Sequence, residues 1–206
     1  RQDDGVALVG GDRGHDVGAL HRLRRAAAGD HAQTRRMRQV RHQLGGGQRV
    51  DRLVLDLDPG PRTGLPECAE VALWMKEQLE GDGLDCVPVT SGSKGIHVYA
   101  RWRASERSGT TSEYAKALAD AAVKAFPRRA TASMARAERG GRVFIDWSQN
   151  NLNKTTITPY SLRGRAHPFV AAPRGWAELG WDDLRHLMIG EVLERLAEPD
   201  PMMGLL

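Results

Sequence analysis

Three short stretches carry side chains that could do chemistry together. Asp56-Leu57-Asp58 closes an apolar run. Alternate residues of a strand share a face, so Asp56 and Asp58 point one way while Leu53, Leu55 and Leu57 point the other. Two neighbouring carboxylates repel each other. They are stable as a charged pair beside a cation, and hard divalent ions prefer such oxygens. An exposed strand end with two solvated acids is the alternative. The second stretch is Ser91-Gly92-Ser93-Lys94-Gly95-Ile96-His97. Its glycines let backbone N–H groups converge on an anion, and Lys94 adds a point charge. Ser91 and Ser93 can donate to phosphate oxygens, and His97 opens the following strand within reach of the same pocket. The spacing is not that of a P-loop, and a plain hairpin turn is the alternative. The third stretch, Phe144-Ile145-Asp146-Trp147-Ser148-Gln149-Asn150, adds a third acid. Three carboxylates suffice for two divalent ions when substrate phosphates supply the remaining oxygens. Arg139, Arg142, Lys154, Arg163 and Arg165 lie around it. Each taken singly reads equally as part of a solvated face; with the acids, they are what handling a triphosphate takes.

Such residues need a scaffold, and the chain from Leu53 onward supplies one. Leu53–Asp58 reads as a strand stopped by Pro59-Gly60. Residues 67–80 follow a helical period, with Cys68, Val71, Ala72, Met75 and Leu79 on one face. Gly81-Asp82-Gly83 ends that helix. Val87–Thr90 and Ile96–Trp102 are strands joined by the 91–95 turn. Residues 112–126 form a second helix, with Tyr114, Leu118, Ala121, Ala122 and Ala125 inward and Pro127 as the stop. Arg142–Asp146 is another strand, Thr155–Ser161 a further one, and Trp181–Leu196 a last helix. The antiparallel hairpin favours an α+β fold over a purely parallel sheet. Trp74, Met75 and Trp176 read as core residues. Trp102 and Trp147 flank the candidate site, where they either contact a base or are buried. Cys68, on an apolar helix face, reads as inert.

Composition bounds the rest. At 206 residues with 40% hydrophobic and 27% charged residues, the chain can bury a real core in one large or two small domains. Two cysteines cannot make a disulfide framework, and no apolar run is long enough to cross a membrane. No secretory leader is expected, and a reducing cytoplasm is the expected compartment. An initial Arg1 reads as the start of a fragment or partial reading. The net charge of +4 is unevenly placed: residues 1–50 carry +5 and residues 51–206 carry −1. The first fifty residues hold ten Arg and no Lys, Glu, Pro, Ile or aromatic residue. They have little to bury against their ordering entropy. Three readings stand: a basic nucleic-acid tail, a loose arm with a short helix around Leu20–Ala28, or coding DNA read in a wrong frame. His15, His21, His31 and His42 are spaced by six, ten and eleven, which matches no zinc pattern.

Leu53–Pro61 (LVLDLDPGP), Val89–Tyr99 (VTSGSKGIHVY) and Val143–Arg165 (VFIDWSQNNLNKTTITPYSLRGR) occur in that order, followed by His167-Pro168 and Ala171-Ala172-Pro173-Arg174. Together they resemble the polymerase domain of bacterial ATP-dependent DNA ligase D, of the archaeo-eukaryotic primase superfamily. The resemblance spans about residues 51–198. It implies an α+β primase-polymerase fold around an RRM-like catalytic sheet. It implies addition of nucleotides, with a bias toward ribonucleotides, to DNA 3′ ends in non-homologous end joining. It also implies two ions, manganese or magnesium, NTP or dNTP substrates, primer-template DNA ends, and Ku with ligase and phosphoesterase modules as partners. The location implied is cytoplasmic and nucleoid-associated, with no membrane. Carried over by motif position, Asp56, Asp58 and Asp146 are the metal-binding catalytic triad. Ser91, Lys94 and His97 hold the triphosphate, helped by Arg139, Gln149 and Arg163.

The resemblance departs at the N-terminus. The family begins with elements bearing a basic pocket for a DNA 5′-phosphate, a loop that stabilises paired ends and template-stacking aromatics. None is legible in residues 1–50, so no end-binding residue is carried over. The division expected is an aberrant or disordered Arg/Gly-rich segment over 1–50 and a catalytic portion over 51–206. Two other readings compete. One is a truncated, inert domain that binds nucleotide or DNA. The other is a D-x-D phosphatase, which lacks the Thr or Val its motif needs after Asp58 and whose second acidic pair, Asp182-Asp183, reads as a helix start.

Overall fold

The computed structural model describes residues 36–38, 41–44, 47–103, 110–151, 154–164 and 167–205. The helix expected around Leu20–Ala28, Arg165, and His15, His21 and His31 lie outside the described residues. Within the basic segment, β1 (Arg36–Arg38) is followed by the antiparallel pair β2 (Arg41–Leu44) and β3 (Gly47–Val50).

The apolar run with its two acids forms β4 (Arg52–Pro59). Helix α1 (Leu65–Gly81) follows, then β5 (Cys86–Thr90), β6 (Ile96–Arg101) and helix α2 (Thr111–Ala125). Next come β7 (Ala130–Thr131), β8 (Val143–Asp146), β9 (Thr155–Ile157), β10 (Ala172–Pro173) and helix α3 (Ile189–Arg195). One six-stranded sheet has the order β10-β5-β6-β4-β8-β7. Its pairs are antiparallel except β7 with β8, so the α+β expectation holds. Outside that sheet, β9 pairs with β1.

Period-two patterning divides the central strands. Leu53, Leu55 and Leu57 of β4, Ile96, Val98 and Ala100 of β6, and Val143 and Ile145 of β8 enter one core with α1 and α2. The expected face of α1, Cys68, Val71, Ala72, Met75 and Leu79, is buried in it. Gly64 N–H donates to Glu67 at the start of α1 (2.7 Å), and the left-handed Gly83 follows its end. The buried stripe of α2 is Thr111, Ala115, Leu118, Ala119 and Ala122; it shares Leu118 and Ala122 with the expected face, Tyr114 packs partly buried against the same core, and Ala125 is exposed. Trp102 is buried in this core, and Trp74, Trp147 and Trp176 pack against it. On the opposite face Val54, Val87, Val89 and Tyr99 pack with Ile157, Ala171, Met202 and Leu205.

The chain after β10 departs from expectation. Residues 181–188 are not helical: α3 spans Ile189–Arg195 alone, preceded by a 3-10 turn over Trp176–Gly180. The carbonyls of the intervening segment are engaged elsewhere. Leu187 accepts from Val170 N–H at 3.0 Å, and Arg185 accepts from Arg174 Nη1 at 2.9 Å. Asp182-Asp183 therefore sit in a turn, not at a helix start. The strand expected over Thr155–Ser161 stops at Ile157. No helix among the described residues is long and apolar enough to cross a membrane.

Candidate active site

Strand register does the positioning. Asp56 of β4 lies opposite His97 of β6 on one side and opposite Asp146 of β8 on the other. Residues directly opposite in antiparallel pairs share a face, so the three side chains stand in a row. Asp58, two residues on, shares that face and lies opposite Phe144. The acid-bearing face thus continues the apolar patch of Val54 and Tyr99 into a polar cluster.

The cluster is closely bonded. His97 Nε2 is 3.2 Å from Asp56 Oδ1, and the His97 side chain is only 7% exposed. Its Nδ1 is buried without a hydrogen-bond partner. Asp146 Oδ1 accepts from the Ser148 N–H (3.0 Å) and the Ser148 hydroxyl (2.6 Å). Gln149 Nε2 donates to Asp146 Oδ2 at 3.0 Å and lies 3.4 Å from Asp56 Oδ2, bridging the two acids. Thr156 Oγ1 donates to Gln149 Oε1 at 3.3 Å, which turns the NH₂ end toward the carboxylates. Lys154 Nζ approaches Asp146 to 3.9 Å. Burial, and then the like charges of Asp56 and Asp146, push the Asp58 carboxyl up to about 6, against the opposing pull of His97 and Lys94. That upward shift marks a group of acids crowded together out of water.

The glycine-rich turn is built tightly against β4. A Cβ on Gly95 would stand 1.8 Å from the Leu57 carbonyl oxygen, so no side chain fits there. The N–H groups of Ser93, Lys94 and Gly95 converge, as the glycines allow, but on Ser91 Oγ at 3.2–3.3 Å. Ser91 is therefore buried at the centre of the turn, while Lys94 is exposed and its charge reaches Asp58. Gly92 adopts a left-handed φ of +66°; a Cβ there would meet Val170 backbone and Arg163 Cγ, so the Arg163 stem runs beside the turn.

Arg139 arrives by a different close approach. Gly60 lets the Arg139 carbonyl come within 1.8 Å of where a Cβ would stand, and Gly60 N–H donates to Arg142 O at 2.9 Å. This pins the 3-10 turn Arg136–Arg139 to the end of β4. The Arg139 guanidinium sits 3.5 Å over the Phe144 ring, next to the Asp58 row, with its Nε buried and unpaired. Asp56, Asp58, Asp146, His97, Gln149, Lys94, Arg139 and Arg163 thus border one end of the sheet.

Among the described residues, no three His, Cys, Asp or Glu side chains close around one point as a ready-made ion cage. Both Asp146 oxygens are instead engaged by Ser148 and Gln149. The donor chemistry nevertheless suits a hard divalent ion: carboxylate oxygens, crowded enough to hold one proton abnormally tightly. The thiols are not part of this. Cys68 donates to Leu57 O at 3.5 Å, and burial, with Asp58 and Asp56 adding, holds its thiol far above the usual range.

The sequence assigns no role to Phe144 or Asn150 within the third stretch, nor to Thr156 in the strand that follows. Phe144 is legible afterwards as the residue one pleat before Asp146. Thr156 and Asn150 carry no local signal, because each acts on a residue that only folding brings near.

The chain matches the family model described as LigD, primase-polymerase domain, over residues 21–202. It is 44% identical over 160 residues to the multifunctional non-homologous end joining protein LigD of Mycolicibacterium smegmatis, covering 78% of this chain and 21% of that protein. It is 47% identical over 152 residues to the multifunctional non-homologous end joining DNA repair protein LigD of Mycobacterium tuberculosis, covering 74% of this chain and 20% of that one. The chain therefore spans about a fifth of the length of the curated relatives it matches. Among solved structures, the polymerase domain of Mycobacterium tuberculosis ligase D in complex with DNA matches with a TM-score of 0.71 at 44% identity, covering 79% of this chain and 58% of that chain.

Proposed function

The chain belongs to the LigD primase-polymerase domain family, and on that premise we propose that it is a nucleotidyltransferase of bacterial non-homologous end joining, adding ribo- or deoxyribonucleotides to DNA 3′ ends. The observation that carries this reading is the row His97, Asp56, Asp146 set by strand register, with Asp58 one pleat away. Asp56, Asp58 and Asp146 would hold two divalent ions, manganese or magnesium. When bound, the ions lower the pKa of the primer 3′-hydroxyl and offset charge on the triphosphate and departing pyrophosphate.

The chain's own groups divide the remaining work. The acids hold their positions because they project from paired strands of a packed sheet, which keeps reacting groups in register. The primer 3′-oxygen bonds to the α-phosphorus of the nucleotide as the bond to pyrophosphate breaks. Lys94, Arg139 and Arg163 border the site from three separate segments and neutralise phosphate charge that builds in the transition state. His97 keeps one ring nitrogen on Asp56 and offers Nδ1 to the triphosphate. Ser91 shapes the turn that presents Lys94. On this reading residues 51–206 are the catalytic portion, DNA ends and nucleoside triphosphates are the substrates, and Ku with ligase and phosphoesterase modules are the partners, in the cytoplasm at the nucleoid.

The test is manganese-dependent primer extension by the 206-residue chain on a DNA end with a 5′ overhang. We expect extension with ATP and dATP, and loss of nearly all turnover in Asp146→Ala, which leaves the Asp56/Asp58 strand unaltered. Near-normal extension by Asp146→Ala would refute the triad. No extension by the wild-type chain would instead favour a domain that binds nucleotide or DNA without turnover.

A further inference from the structure

We propose that Asn150 is a positioning residue that sets the spacing of the acid cluster through the turn Trp147–Asn150. The proposal rests on the reading above, in which Asp56 and Asp146 are carboxylates of the reacting centre. β8 pairs with β4 from Val143 opposite Pro59 to Asp146 opposite Asp56, and then leaves the sheet. Continued by two residues, that register would bring the backbone of Ser148 to Val54. The chain turns instead, and the Asn150 side chain takes the vacated place. Its Nδ2 donates to Val54 O at 2.7 Å, and its Oδ1 accepts from Val54 N–H at 2.9 Å. A side-chain amide thereby reproduces both bonds of a backbone pair. The same Nδ2 donates to Trp147 O at 2.9 Å, and Asn150 is 3% exposed.

The consequence is geometric. The clamp grips β4 two residues before Asp56 and grips the turn one residue after Asp146. Between those grips lie Ser148, which holds Asp146 Oδ1, and Gln149, which bridges Asp146 and Asp56. The turn also packs beside β4 and α2, with Trp147 against the core, so the clamp adds direct bonds to β4 within a segment already held over the sheet. The position demands a donor and an acceptor on one short planar group. Asp has the shape but cannot donate; Ala has neither function. Asn150 touches no reacting atom, so its effect is exerted through Asp146 and Gln149.

The test uses the full chain with Asn150→Ala and Asn150→Asp. Leu79→Ala serves as a comparison that destabilises the core under α1, where Leu79 is fully buried and bonds to no residue of the acid cluster. Three readouts are taken where all variants are folded: hydrogen exchange at the Val54 amide, Mn²⁺ binding followed by electron paramagnetic resonance, and primer-extension kcat and KM for ATP. We expect Val54 exchange to rise at least about tenfold in Asn150→Ala relative to Leu79→Ala. Mn²⁺ binding should weaken and kcat fall by about 10–100-fold, as when groups supporting metal ligands are removed, with KM for ATP within about twofold. Asn150→Asp should follow Ala, since the carboxylate faces two carbonyls. Mn²⁺ affinity and kcat equal to those of Leu79→Ala would overturn the proposal and leave Asn150 a structural residue only. Wild-type behaviour of Asn150→Asp would overturn the argument from donation. If the wild-type chain extends no primer, the polymerase reading fails, while the exchange and Mn²⁺ readouts still decide this one. A wild-type chain that binds no Mn²⁺ overturns it.

Discussion

Gly95→Ala is the most severe single test of how the site is held. The added methyl carbon would stand 1.8 Å from Leu57 O and 2.9 Å from Leu57 C, where real contacts essentially never fall under 3.0 Å. Relief requires a relative shift of at least about 1.2 Å between the turn and β4. That is about a quarter of the spacing between paired strands. The obstructing atoms are backbone, so no rotamer change absorbs the clash. Gly95 N–H and C=O also close the Ser91 turn, through Ser91 Oγ at 3.2 Å and Ser91 N–H at 2.9 Å. Overpacking against a rigid neighbour costs about 3 kcal/mol, the upper end of the usual range. For a domain of this size that lowers Tm by roughly 6–12 °C. Leu57 lies between Asp56 and Asp58, so the same displacement moves the acids; a shift near 1 Å costs on the order of 100-fold in turnover. The assay is thermal unfolding paired with manganese-dependent extension. Gly180→Ala is the control, since a Cβ there meets nothing within 4 Å. A Gly95→Ala protein with Tm within about 1 °C of wild type and undiminished extension would show that β4 and the turn are not in the contact described.

Other outcomes follow from charge and burial. Burial pushes the Glu178 carboxyl up, but Arg195, the Gly175 N–H and Arg174 outweigh it and hold it below its ordinary value; bonding to Arg185 and the Met188 N–H takes Glu191 down to about 2. Both acids bind protons less tightly folded than unfolded, so their stabilisation is complete above about pH 5 and fades as the pH falls toward 2, which acid titration of unfolding will read. Glu178→Gln should flatten that dependence and cost about 3–5 kcal/mol near neutrality, because Arg174 is 3% exposed and would be left without its carboxylate; an unchanged Tm would contradict this. Cys68 and Cys86 should resist alkylation in the folded chain at pH 8, since burial raises both thiols, Cys86 to about 12; modification as fast as in denatured protein would refute it.

Much of this architecture is written in local periodicity. The α1 stripe, the β4 alternation and the β5–β6 hairpin are each short-range patterns, and each holds in the fold. The leucines of the segment 181–188 have helical spacing, yet Val170 and Arg174 take its carbonyls, a contest that sequence spacing does not display. The same limit applies in the site. The types of the acids announce themselves, whereas Asn150 and Thr156 act on partners fixed only by tertiary structure: Val54 is 96 residues from Asn150. The Ser91 turn shows a subtler limit, since the glycines do gather N–H groups, but onto the chain's own hydroxyl.

The placement of the acids is nevertheless inseparable from the apolar pattern. Antiparallel pairing repeats every two residues, so a one-residue slip of β4 would turn Asp56 and Asp58 toward Cys68 and Met75 and expel Leu55 and Leu57 from the core. Exposing two fully buried leucines costs about 3–6 kcal/mol, before the cost of burying two carboxylates is added. That exceeds what most single contacts in a domain contribute, and it acts on every molecule whether or not substrate is present. The row of His97, Asp56 and Asp146 is therefore set by leucines that never touch it. Substitutions among those leucines that keep volume and alternation should leave the site in place, while any change that relaxes the register of β4 should scatter it.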